Sequence, residues 1–373
     1  MATYGPRSIS ELVMLTGWDA TELKKFELAD GTSYMQVVAM MNGALGTLNA
    51  ELYSDPLWSS LVAYQDNPEV EYRVGSSNGF EEHTEYGRPD AKRADTEGHM
   101  LPIRPYDRML GWTWDYLQEA RLVQIEADIA DAVKDARDLW RLRILARLLD
   151  RDDESGALKG LGASGYSPGF ATTAASTNVD FVPPAYGGNV FTNTHEHYVA
   201  IAGGAFTADV FKDVKAELRE HGHEAPYNFI IGQGDESTVA GLTGFVPTAS
   251  TGIRYGTGVS LAEINPASIA PGVYPIGIIH DCWVYVCPGI PTYWGFGWKS
   301  YGMNSQRNPL RIRVPKGQNR VNVVAMTDPK AGSGITPIQN LMLYTKFGVG
   351  VGDRTNGTPR YVNAANWADG TPT

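Results

Sequence analysis

No glycine or proline interrupts the chain between Trp112 and Ser155. These are the two residues that most readily break a helix, so a window this long without either one commits the chain to a rod. Apolar residues recur within it at Leu122, Ile125, Ile129, Ala132, Ala136 and Leu139, a 3-4-3-4-3 spacing that lays one stripe along a single helix face. Thr113 and Asp115 suit a helix start, and Arg141, Arg143 and Arg147 suit the negative end of the dipole. The pattern predicts a helix over 113–150, about 57 Å long at ~1.5 Å rise per residue. A bundle or coiled coil would need a second helix of comparable length, and the sequence offers none.

Around the rod the chain changes character. Glu69–Val74 alternates polar and apolar residues as a half-exposed strand does. From Gly75 to Gly98 there follow nine charged residues, with only Phe80 and Tyr86 as large apolar ones, and a second extended stretch over His99–Arg104. Such a segment cannot build its own core and reads as a long two-stranded finger that needs a neighbour to lie on. Residues 1–62 read as an arm carrying one helix near 33–53 (Met35, Val38, Met41, Leu45, Leu48). The Gly-, Ser-, Thr- and Pro-rich stretch 155–194 reads as loop. An amphipathic helix is predicted over 207–221 (Val210, Phe211, Val214, Leu218), stopped by Gly222. Short strands follow at 227–231, 273–279, 282–287, 310–314 and 321–326. Leu341–Val351, the turn 352–357 with Asp353, Arg354 and Asn356, and Arg360–Val362 read as a terminal hairpin.

Composition limits what this assembly of elements can do. Hydrophobic residues make up 43% and charged residues 20%, as expected of a soluble globular protein, and neither a signal peptide nor a membrane span is legible. A net charge of -11 gives no overall footprint for gripping nucleic acid. The two cysteines, Cys282 and Cys287, fall on opposite faces of an extended run, roughly 16 Å apart, and are expected as buried thiols.

Motifs for chemistry are weak. Gly160-Leu161-Gly162-Ala163-Ser164-Gly165 matches a dinucleotide fingerprint but follows charged residues rather than a buried strand. His195-Glu196-His197 and His221-Gly222-His223 could share a metal only if the fold juxtaposed them, so solvated loop and helix-end histidines are expected, with no metal and no cofactor. His280 and Cys282 lack a third orienting group for nucleophilic catalysis. No catalytic residue is assigned.

The order of elements resembles the Hong Kong 97-type fold of tailed-phage major capsid proteins, an α+β class. Thr207–Lys215 through Gly222, Val273–Gly277 with Cys282–Cys287, and the ending Lys346–Arg354 are similar to the corresponding family segments. The resemblance implies an N-terminal arm (1–62), an E-loop with flanking strands (63–112), and a peripheral domain with the spine helix (113–206). It further implies an axial domain (207–320) and a return to the peripheral domain with the terminal hairpin (321–373). It implies a shell subunit forming hexamers and pentamers around double-stranded DNA, which it encloses without reading sequence. The virion is its place, and no membrane is involved. Scaffolding, portal and decoration proteins are the further partners implied. E-loop contacts to a neighbour would come from Glu81, Glu82, Glu85, Arg88, Asp90, Lys92, Arg93, Asp95 and Glu97. No motif around Lys92 or Asn356 carries over the family's covalent crosslink. Encapsulin-like compartment shells share the fold, and a hydrolase or nucleotide-dependent enzyme using the 155–194 loop is the alternative from another class.

Overall fold

The computed structural model describes residues 28–74, 95–113, 116, 119–151, 168–172, 181–248, 254–255, 259–260, 273–327 and 338–372. In chain order the helices are α1 (Tyr34–Ser54), α2 (Pro56–Leu61), α3 (Leu122–Leu149), α4 (Ala208–Glu220) and α5 (Glu236–Ala240). The strands begin with β1 (Val62–Gln65), β2 (Glu69–Val74), β3 (Asp95–Met100), β4 (Arg104–Thr113), β5 (Val199–Ala200), β6 (Tyr227–Ile231), β7 (Val246–Pro247), β8 (Arg254–Tyr255) and β9 (Val259–Ser260). They continue with β10 (Tyr274–Ile279), β11 (Cys282–Val286), β12 (Trp294–Trp298), β13 (Leu310–Arg313), β14 (Val324–Thr327), β15 (Ile338–Val351) and β16 (Thr358–Tyr361). Two compact units result. Of the described residues, one holds those through Ser54, Arg104–Trp140 and Arg320–Phe347; the other holds those within Asp55–Ile103, Arg141–Asn319 and from Gly348 onward.

In the first unit β15 is the middle strand of an antiparallel layer, pairing over 338–347 with β4 and over 341–344 with β14. The helix α1 starts in a reciprocal cap, Ser33 N–H to Gln36 Oε1 at 2.9 Å and Gln36 N–H to Ser33 Oγ at 3.4 Å. It buries Val37, Val38, Met41, Leu45, Leu48 and Leu52. Its Asn49 amide donates to the Val323 carbonyl and accepts from the Val323 N–H (2.9 and 2.7 Å), which fixes α1 beside β14.

The long helix is shorter at its N-terminus than the glycine-free window suggests. Residues through Thr113 pair in β4, and α3 spans 28 residues, about 42 Å. Tertiary pairing wins here because Leu110 and Trp112 are buried in strand alternation. The helix start is capped from elsewhere in the unit, with Asp30 Oδ2 accepting from Leu122 N–H at 2.8 Å. That bond, with those from Thr32, holds the Asp30 carboxyl below its usual pKa. The Trp112 indole donates to Asp128 (2.8 Å), and the Trp140 ring meets Phe347 edge-on at 5.4 Å.

The second unit is built on a seven-stranded sheet of order β5-β16-β12-β6-β11-β10-β7. The amphipathic α4 lays Val210, Phe211, Val214 and Leu218 on a core with Phe229, Ile231, Cys282 and Val284. The strand β12, Trp294-Gly295-Phe296-Gly297-Trp298, is not among the strands expected from the sequence and carries two glycines in five residues. They are needed for close approach: a Cβ on Gly295 would lie 2.6 Å from the Phe229 ring, and one on Gly297 would lie 2.6 Å from Val214. Both cysteines are free and fully buried, and burial pushes each thiol up to about 12, so the His280–Cys282 pair holds no nucleophile. His280 itself sits in the tight β10–β11 turn at φ 46°.

The expected terminal hairpin does not form. β15 ends against β13 (Leu310↔Val351), whereas β16 joins the seven-stranded sheet between β5 and β12. The intervening turn is interior: Arg354 and Asn356 are buried and bond to backbone groups of other segments.

Candidate functional site

The turn after β15 and the end of α4 bring together the polar groups of the second unit. The helix α4 stops in a Schellman arrangement: Gly222 adopts φ 82°, its N–H donates to Arg219 O, and the His223 N–H donates to Leu218 O, both at 3.0 Å. This turn fixes His221 as the C-cap residue. Across from it the chain is extended at His195-Glu196-His197. The His197 N–H donates to Ala171 O at 2.9 Å, and Glu196 turns the other way to accept from Thr172 Oγ1 (3.0 Å) and Tyr198 N–H (3.1 Å).

Alternation therefore sends His195 and His197 the same way, onto His221. The three Nε2 atoms lie 2.9 Å (195–221), 3.0 Å (195–197) and 3.0 Å (197–221) apart. His197 is fully buried, His221 nearly so, and His195 half-buried. Solvated histidines were expected at these positions; the fold instead encloses them, with the Phe191 ring 4.3 Å from that of His221 and 4.8 Å from that of His195. His197 Nδ1 lies 2.7 Å from the Gly357 carbonyl, which only accepts, so the ring proton sits on Nδ1 and Nε2 offers a lone pair. Burial lowers all three: His221 falls to about 2, His197 falls well below the usual imidazole range, and His195 falls as well. Glu220 Oε1 stands 3.3 Å from His195 Nε2 and 3.7 Å from His221 Nε2. The largely enclosed Glu217 carboxyl, raised by desolvation, is ion-paired with Arg360. His223, also singled out in the sequence, points elsewhere, to Tyr301 Oη (2.8 Å) and Thr355 Oγ1 (3.1 Å).

The predicted hairpin-tip residues are structural staples. Asn356 is fully buried; its Oδ1 accepts from Lys299 N–H (2.8 Å), and its Nδ2 donates to Lys299 O (2.8 Å) and Arg307 O (2.7 Å). Arg354 is buried, donates from Nε to Gly169 O (2.9 Å), and stacks its guanidinium 4.4 Å over Phe181. Asp353 Oδ1 accepts from the Thr355 N–H and hydroxyl. Of the finger residues, Glu81, Glu82, Glu85, Arg88, Asp90, Lys92 and Arg93 lie outside the described residues, as does the glycine-rich 160–165 motif. Asp95 and Glu97 belong to β3, opposite Val74 and Tyr72 of β2.

Comparison with known proteins follows the same lines. A chain solved from Mycobacterium phage Patience matches with a TM-score of 0.61 at 18% identity, over 93% of this chain and 94% of that one. The capsid of an empty GTA particle matches with a TM-score of 0.47 at 15% identity, over 85% and 90% of the two chains. The mature capsid of bacteriophage PhiM1 matches with a TM-score of 0.46 at 10% identity, over 81% and 86%. No protein-family model matches the chain, and no curated protein does. The first of these structures matches over most of both chains, and the fold of this chain is the α+β, Hong Kong 97-type fold.

Proposed function

We propose that this chain is the major capsid protein of a tailed phage, a subunit that assembles as hexamers and pentamers into an icosahedral shell around double-stranded DNA and catalyses nothing. The observation that carries the reading is the fold match to the chain solved from Mycobacterium phage Patience, over 93% of this chain and 94% of that one. An open sheet face supports it. In the first unit, Met109, Met342, Tyr344 and Val324 share one side of the β4-β15-β14 layer by register, and Met109 is 53% and Val324 43% exposed. Apolar side chains left on a sheet face are what a neighbouring copy would cover. The paired base of β2 and β3 fits the finger of this reading, whose charges at 81–97 supply register to a neighbouring subunit more than affinity. With a net charge of -11 the chain encloses DNA rather than reading it.

Deleting residues 76–97 tests this reading. The variant is expected to fold with an unchanged circular-dichroism spectrum and to form no shells by electron microscopy, while the unaltered chain forms them. Intact shells from the deletion would overturn the finger's role, and a parent chain that remains monomeric at every concentration would overturn the shell itself.

A further inference from the structure

We propose that His195, His197 and His221 hold one divalent transition-metal ion, Zn2+ by preference, with Glu220 as the fourth ligand. The site is independent of the shell reading.

Geometry makes the first case. Three ring nitrogens at mutual distances of 2.9, 3.0 and 3.0 Å enclose a point about 1.7 Å from each. An ion at the usual Zn–N distance of ~2.0–2.1 Å then sits about 1.1 Å out of their plane. Glu220 Oε1, 3.3 and 3.7 Å from two of those nitrogens, has the spacing of a further vertex, since tetrahedral ligands at that bond length stand roughly 3.3 Å apart.

Hydrogen-bond chemistry makes the second. His197 offers only a lone pair at Nε2, because its proton is held by Gly357 O. His221 Nδ1 is buried without a hydrogen-bond partner, so the ring's close polar contacts are those of its Nε2 with the other members of the cluster and Glu220. Two protons cannot satisfy three nitrogens that all point at one another, whereas one cation satisfies every lone pair at once. The Gly357 carbonyl is the outer partner that orients a ligating imidazole. The nearby Arg360 cation disfavours positive charge at His197, but it is ion-paired with Glu217, whose carboxylate favours positive charge at His195. Three imidazoles and one carboxylate select a first-row transition ion over Mg2+ or Ca2+, which prefer all-oxygen shells.

The ion would be structural. It would tie the 195–197 segment to the C-terminus of α4 and, through Gly357, to the turn that leads into β16. The sequence carries the donors, His-x-His and Glu-His, but they lie 24 residues apart between His197 and His221 and only the Schellman turn aims the second pair inward.

The test uses the full chain, stripped with chelator and titrated with Co2+ as a spectroscopic probe and then with Zn2+. Expected are one equivalent of Co2+ per chain with visible d–d absorption, its displacement by Zn2+, and a rise in Tm with Zn2+. His195→Ala, at the half-buried edge, should weaken Co2+ binding at least ~100-fold, and Glu220→Gln about tenfold. His280→Asn, remote from the cluster, should leave binding unchanged. If His195→Ala does not fold, Glu220→Gln alone decides. Binding well below one equivalent by the parent chain, or unchanged affinity in the ligand variants, would overturn the site.

Discussion

In the seven-stranded sheet, β6, β11, β12 and β16 are buried along almost their whole lengths, whereas β4 in the other unit exposes every second residue from Pro105 to Thr113. The first pattern belongs to a sheet covered on both faces, the second to one covered on a single face. One layer is thus finished within the chain: Phe229 packs edge-on against Phe206 and Phe211 at 5.9 and 4.9 Å, and Phe206 lies tilted 6.3 Å from Phe211. The other turns Leu110, Trp112, Leu341, Leu343 and Phe347 inward and leaves Met109 and Val324 outside. On the proposed shell reading, the first layer holds the subunit's own shape and the second meets its neighbours.

Substitutions in the finished layer should act on stability before anything else. Phe229→Ala removes a fully buried ring and should cost about 3–5 kcal/mol, read by denaturant unfolding. Gly297→Ala pushes a methyl against Val214 and should cost roughly 1–3 kcal/mol in the same assay. A loss near zero for Gly297→Ala would mean that β12 is less tightly sandwiched than its 2.6 Å approach implies.

The same contrast has a pH form. His99, buried at the end of β3, is lowered to about 3, first by desolvation and then by the guanidinium groups of Arg354 and Arg147. The unfolded chain takes up this proton near 6.5 and the folded chain does not, so the stability linked to it is fully present above pH 6.5 and is lost as pH falls toward 3. Between pH 7 and pH 5 the loss should be about 2 kcal/mol. His99→Gln should flatten that part of the stability–pH curve; an unchanged slope would assign the acid sensitivity elsewhere.

Substitutions in the open layer should do the reverse. Met109→Asp with Val324→Asp should change unfolding free energy by no more than ~0.5 kcal/mol per site, since both side chains are exposed. The pair should nonetheless abolish assembly, as seen by size-exclusion chromatography. Normal assembly by the double variant would show that this face meets nothing.

Much of the finished layer was legible. The amphipathic α4 and strands β6, β10 and β11 fall within one or two residues of their sequence-based bounds, because periodicity and burial agree there. What was not legible depended on partners distant in the chain. Helix propensity ran on through 113–121, but β15 claims Thr113, and no local signal announces a strand 225 residues away. Trp294–Trp298 was not named as a strand, and its glycines make sense only beside Phe229 and Val214. Arg354 and Asn356 looked like an exposed tip because their acceptors are backbone carbonyls of other segments. The histidines were visible as two pairs, and only three of the four converge.

The most direct test of the central claim is electron microscopy of the purified full chain over a range of concentrations. Closed shells of uniform size, or the hexameric and pentameric rings that build them, are expected. A compact monomer at every concentration would contradict it.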